Sequence, residues 1–166
     1  MNIEASVLAI SGAIALFACS AAGSALGTGL AASAAVGAWK KCFAQNKSAP
    51  FTMLTFVGMP LTNTLYGMVL MNNIITKANT MDITVCAGWA LLALCVFIGL
   101  VIGLASWTQA KAAACACDAQ GETGQGFGNY IAAIGIIEGV TIFVFVFALV
   151  VIGNFFRPVA AVLESL

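Results

Sequence analysis

Four long apolar stretches alternate with short polar segments along the chain, at about 5–38, 51–75, 83–116 and 128–156. Each exceeds the ~20 residues that a helix needs to cross a bilayer. The first and third are long enough to project beyond the hydrocarbon, at about 1.5 Å of rise per residue. Polar, turn-forming segments at 40–50, 77–82 and 117–126 divide the four, and Pro158 closes the last. The pattern predicts an all-α membrane protein with four transmembrane helices. They form two tandem helical hairpins, residues 1–77 and 78–166.

Composition agrees and excludes a soluble domain. Hydrophobic residues make up 62% of the chain and charged residues 7%, against about 25% charged in ordinary soluble domains. Such a chain needs lipid around it. Net charge is zero without a basic block, so nucleic acid is not an expected partner. There is no His, and the six Cys lie mostly in apolar runs, where Cys behaves as a small hydrophobe. Cys115 and Cys117 lack the further ligands that a metal site requires. Glu4 stands near the amino terminus without Lys or Arg before it, so the first stretch reads as a retained helix rather than a signal peptide. Lys40, Lys41, Lys47 and Lys111 flank the loops joining helices 1–2 and 3–4, against Lys77 and Arg157 on the opposite side. That bias places those two loops in the cytoplasm and both termini outside.

The halves repeat one another. With a shift of 80, Ala13, Phe17, Gly23, Ala25, Thr28, Ala32 and Ala34 match Ala93, Phe97, Gly103, Ala105, Thr108, Ala112 and Ala114. With a shift of 77, Gly58, Thr64 and Val69 match Gly135, Thr141 and Val146. A duplicated hairpin follows, its two copies in parallel orientation, unlike inverted transporter repeats. Helices 1 and 3 carry runs of small residues, at 23–29 and 110–116. Small-xxx-small spacing lets helices approach closely in lipid. Here small residues occupy nearly every face, which points to neighbours on several sides and an inner layer of an oligomer.

One residue breaks the apolar pattern. Glu138 lies deep in the fourth stretch, with no other charge between Glu122 and Arg157. A charge at the centre of a membrane helix costs about 2.5–3.5 kcal/mol on insertion scales. It must therefore be protonated, paired or bound to a cation. On helix 2, Met59, Thr62, Asn63 and Tyr66 follow i, i+3, i+4, i+7 spacing and share a face. Pro60 lacks an N–H, which makes backbone carbonyls near it available. Gln109 is the isolated amide of helix 3. Glu138 and Gln109 have apolar or absent side chains at their repeat equivalents, Leu61 and Gly29, so the doubled chain retains one polar set. A carboxylate with hydroxyl, amide and carbonyl oxygens suits a small hard cation, and a monovalent ion neutralises it. Loaded, the site is neutral and can face lipid; empty, it needs a cationic partner. Such a residue works as a carrier.

These features resemble the duplicated-hairpin proteolipid, subunit K (the c subunit), of V-type/A-type rotary ATPases, over the whole chain. The likeness rests on the small-residue inner helices, the stretch from Pro60 to Gly67, Gln109 ahead of Lys111, and Glu138. It implies a non-catalytic rotor subunit that oligomerises into a ring, with helices 1 and 3 inside and 2 and 4 outside. It also implies a stator subunit bearing a membrane Arg, central-stalk subunits and lipid as partners, no cofactor, and transport coupled to ATP hydrolysis or synthesis. In sodium-carrying members the ion is held by positions similar to the Met59 carbonyl, Thr62, Asn63, Gln109 and Glu138, with Tyr66 bonded to the carboxylate. Those members usually have Gln where this chain has Asn63, one methylene shorter. Sodium and the proton are both open as cargo, sodium first. The motif is closer to bacterial and archaeal complexes than to the eukaryotic vacuolar one, so a bacterial or archaeal cell membrane is expected. The competing reading is a small four-helix proton-coupled exchanger, with Phe143, Phe145 and Phe147 lining a substrate cavity near Glu138.

Overall fold

A computed structural model describes residues 3–156, and these are helical without any strand. Arg157 and Pro158, to which the sequence assigns a charge bias and a helix stop, lie outside the described residues. The elements are α1 (Ile3–Ala44), α2 (Met53–Gly58), a 3-10 turn (Met59–Leu61), α3 (Thr62–Thr80), α4 (Val85–Thr123) and α5 (Phe127–Gly153). The 3-10 turn joins α2 to α3 as one span of 28 residues, Met53–Thr80. With α1, α4 and α5 this gives four helices long and apolar enough to cross a membrane. The chain is a multi-pass membrane protein.

The helices outrun their apolar stretches. α1 continues through Lys40 and Lys41 to Ala44, and α4 through Lys111 to Thr123, so these lysines sit on helices rather than in loops. Backbone hydrogen bonding does not stop where the apolar pattern stops. It stops at caps. Thr84 caps α4, its hydroxyl accepting from the Ala87 N–H at 3.3 Å. Gly124, with φ +67°, ends α4 in the left-handed conformation that favours glycine. The connections shrink accordingly, to three residues between α4 and α5.

α1 and α4 lie parallel and in register along their whole length. A Cβ added to Gly12 would come 2.8 Å from the Leu92 Cα, and one added to Gly99 would come 2.7 Å from the Leu16 carbonyl oxygen. The approach is closest where Gly23 meets Gly103. Paired positions differ by about 80 residues, the same as the repeat shift. Small side chains set this distance, because in lipid the association of helices rests on packing rather than on water exclusion. At the shared carboxyl end, the Lys41 ammonium lies 2.8 Å from Asp118 and 3.5 Å from Glu122.

α3 runs antiparallel along α1, its Gly67 against Ser20, and the Ser6 hydroxyl donates to the Ala78 carbonyl at 3.3 Å. α5 packs on α4 and touches α3. The result is two layers, α1 with α4 and α3 with α5. Because α3 and α5 occupy the same side, the two halves cannot be related by a simple two-fold. No residue buried on α1 has its equivalent, 80 positions on, buried on α4. Side-chain size follows this difference. Ala9, Ser20, Ser24 and Gly27 are buried, whereas their equivalents Trp89, Leu100, Leu104 and Trp107 are exposed.

Two apolar clusters fill the interior. One contains Leu16, Leu70, Ile74, Leu91, Ile102 and Ile152; the other contains Ala31, Met53, Phe56, Ala113 and Ile134. Along every helix the polar positions 24, 63, 106, 109 and 138 fall in the interval between them.

Candidate ion-binding site

The second span changes its winding at Pro60, where Met59–Leu61 forms a 3-10 turn before α3 begins. Proline without an N–H and with a bulky ring is a common cause of such a break. The turn leads into α3, whose 3.6 residues per turn point Thr62, Asn63 and Tyr66 in different directions.

Asn63 points into α4 and is fully buried. Its Nδ2 donates to Oε1 of Gln109, also fully buried, at 3.0 Å. The remaining atoms of this amide pair, Asn63 Oδ1 and Gln109 Nε2, are buried without a protein partner among the described residues. Tyr66 points to α5, where its hydroxyl donates to Oε1 of Glu138 at 2.9 Å. The Phe145 ring packs on Tyr66 with centroids 5.2 Å apart and holds the phenol in place. Thr62 turns back on its own helix: its hydroxyl donates to the Met59 carbonyl at 2.8 Å, which also accepts from the Thr62 backbone N–H.

All six residues expected from the sequence therefore fall into three bonded couples, Met59 with Thr62, Asn63 with Gln109 and Tyr66 with Glu138. The couples radiate from one turn and a half of α3, so one helix start organises ligands from α4 and α5. The Met59 carbonyl, expected to be free, is engaged by Thr62. Thr62 Oγ1 keeps its lone pairs after donating its proton, and Asn63 Oδ1 is unpartnered. These oxygens and those of the Glu138 carboxylate are hard donors, the type that a small cation takes. Soft or imidazole ligation has no counterpart: no cluster of His, Cys, Asp or Glu able to hold a metal ion occurs among the described residues.

Two residues of the site escape the sequence pattern. Ser106 of α4 is fully buried, its hydroxyl donating to the Pro60 carbonyl at 3.0 Å and lying 3.4 Å from the Ser24 hydroxyl of α1. Both serines sit in runs of small residues and read there as packing; only their repeat equivalents, Leu104 and Leu26, mark them as places where the halves differ.

Of the three phenylalanines that an exchanger would place around a substrate, Phe145 stacks on Tyr66. Phe143 and Phe147 line a separate groove of about 410 Å³ between α4 and α5, with Leu94, Ile98, Val140 and Val151. That groove is apolar, and Glu138 does not line it.

No protein-family model matches this chain, and no curated protein matches it.

Proposed function

We propose that this chain is a rotor subunit of a membrane ring of the V-type/A-type rotary ATPase kind, carrying one monovalent cation on Glu138. The observation that carries the reading is the Tyr66–Glu138 hydrogen bond between α3 and α5. It ties the one acidic residue of the described α5 to the polar start of α3, midway between the two apolar clusters. Sodium is the favoured cargo, held by Glu138 with Thr62, Asn63, Gln109 and the Met59 carbonyl; the proton is the alternative. In either case one charge on the ion cancels one on the carboxylate, and the loaded site can pass lipid.

One feature supports an oligomer: α1 and α4 form a small-residue layer beneath α3 and α5, and on α1 a Cβ added to Gly29 or Gly37 would meet nothing within 4 Å, which leaves room for a closely packed neighbour. A head-to-tail contact repeated between copies closes into a ring when its rotation closes. The partners of such a ring are a stator subunit that supplies a membrane cation to the empty Glu138, central-stalk subunits and lipid. The rotor itself performs no bond chemistry; coupling to ATP hydrolysis or synthesis belongs to the rest of the complex. The orientation has both termini outside, in a bacterial or archaeal cell membrane.

The mass of the purified oligomer tests the assembly. A ring of many copies supports the rotor, and a dimer sinks it in favour of an exchanger. Carbodiimide labelling of Glu138 tests the cargo. Protection by millimolar sodium at fixed pH supports sodium, and dependence on pH alone assigns the proton.

A further inference from the structure

The geometry points to Ser106 as a positioning residue of the ion site: its buried hydroxyl pins the Pro60 turn from which Thr62, Asn63 and Tyr66 are presented. This rests on the ion-carrier reading of Glu138.

Pro60 is buried against the α1–α4 layer. On the α1 side Gly27 lies beside the ring: a Cβ there would touch the Pro60 Cβ at 3.4 Å and crowd the Ser106 carbonyl oxygen at 3.0 Å. On the α4 side, the Ser106 hydroxyl donates to the Pro60 carbonyl at 3.0 Å. The Ser24 hydroxyl, 3.4 Å from Ser106, extends the polar chain into α1. One hydrogen-bonded path thus runs from the inner layer to the kink.

What the kink governs follows from helix geometry. Thr62, Asn63 and Tyr66 come two, three and six residues after Pro60, so a rotation of the turn about the helix axis swings all three together. Asn63 must meet Gln109 and Tyr66 must meet Glu138, on two different helices. A 3-10 turn is wound more tightly than an α-helix and has poorer hydrogen-bond geometry. It needs an outside partner to hold one winding, and Ser106 is that partner. Gln109, one turn further along α4, holds Asn63, so α4 grips the start of α3 at two points. Ser106 touches no ion in this arrangement; it acts through Pro60.

The test uses the intact purified oligomer in detergent and measures carbodiimide labelling of Glu138 across pH, with and without sodium. In Ser106→Ala, the expected result is about fivefold faster labelling at neutral pH and a displaced pH profile, because one hydrogen bond contributes about a factor of five to ten. The oligomer keeps its mass. Ser106→Thr, which restores the hydroxyl, returns the profile toward wild type. Ser106→Cys fills the site with a poor donor and gives the Ala result even if Ala itself disrupts assembly. Labelling in both Ala and Cys variants that matches wild type overturns the positioning role. A wild-type Glu138 indifferent to both pH and sodium overturns instead the ion-carrier reading, whatever Ser106 does.

Discussion

Tyr66 and Glu138, 72 positions apart in the chain, meet through a 2.9 Å hydrogen bond in which the phenol donates to Oε1 of the carboxylate. The bond ties α3 to α5 at the level where both apolar clusters give way to polar residues. It also occupies one carboxylate oxygen and orients the other.

Tyr66→Phe removes that donor and keeps the ring that packs on Phe145. A hydrogen bond to a charged group contributes about 1.5–3 kcal/mol, so sodium protection of Glu138 should need at least tenfold more sodium. A titration of labelling against sodium reads this directly; an unchanged half-protecting concentration would show that the bond does not support ion binding.

Glu138→Gln keeps an acceptor for Tyr66 and deletes the charge. Transport by reconstituted complexes should fall to background while the oligomer retains its mass. Loss of the oligomer on this change would make Glu138 a structural residue rather than a carrier.

Asn63→Leu preserves volume and strips the amide that meets Gln109. Gln109 is then fully buried without its partner, at a cost of about 1–3 kcal/mol. Thermal stability should drop by several degrees, and sodium protection should weaken in parallel. Thermal unfolding followed by circular dichroism, alongside labelling, checks both.

Gly99→Ala should separate α1 from α4, since the new Cβ meets Leu16 backbone atoms at 2.7 and 2.8 Å that cannot swing aside. Overpacking of this kind costs about 1–3 kcal/mol. Gly128→Ala, where nothing lies within 4 Å, is the matched control. Equal melting temperatures for the two variants would contradict the tight α1–α4 seam.

Lys41→Ala removes an ion pair whose members are each more than half exposed. Such pairs contribute little and are screened by salt. The melting temperature should move by no more than about a degree, and less at high salt; a large loss would mean that another subunit covers this end.

Much of the fold is legible in the sequence. Helix number and class followed from hydropathy, because in lipid every backbone group must be satisfied within its own segment. The helix ends were less legible: α1 passes Lys40 and Lys41 because caps, not apolarity, end a helix. The stripe 59, 62, 63, 66 was visible as a spacing, but a spacing places residues on a face without naming their partners. That Asn63 meets Gln109 while Tyr66 meets Glu138 depends on where α4 and α5 lie around α3. Ser106 and Ser24 were hidden because a buried serine in a run of Ala and Gly looks like one more small residue.

The sequence alone determined that this chain has four membrane-crossing helices in two parallel, related hairpins, with a single carboxylate kept deep in the fourth. Those are properties of periodicity, composition and internal comparison. Only the tertiary structure decided that the related helices α1 and α4 bury non-equivalent faces, with α3 and α5 on the same side of them. Similar sequences can pack through different faces, because contacts depend on how each helix is turned about its own axis. Here the tight glycine contacts between α1 and α4 fix that rotation. The same rotation brings Tyr66 to Glu138, and no linear pattern records it.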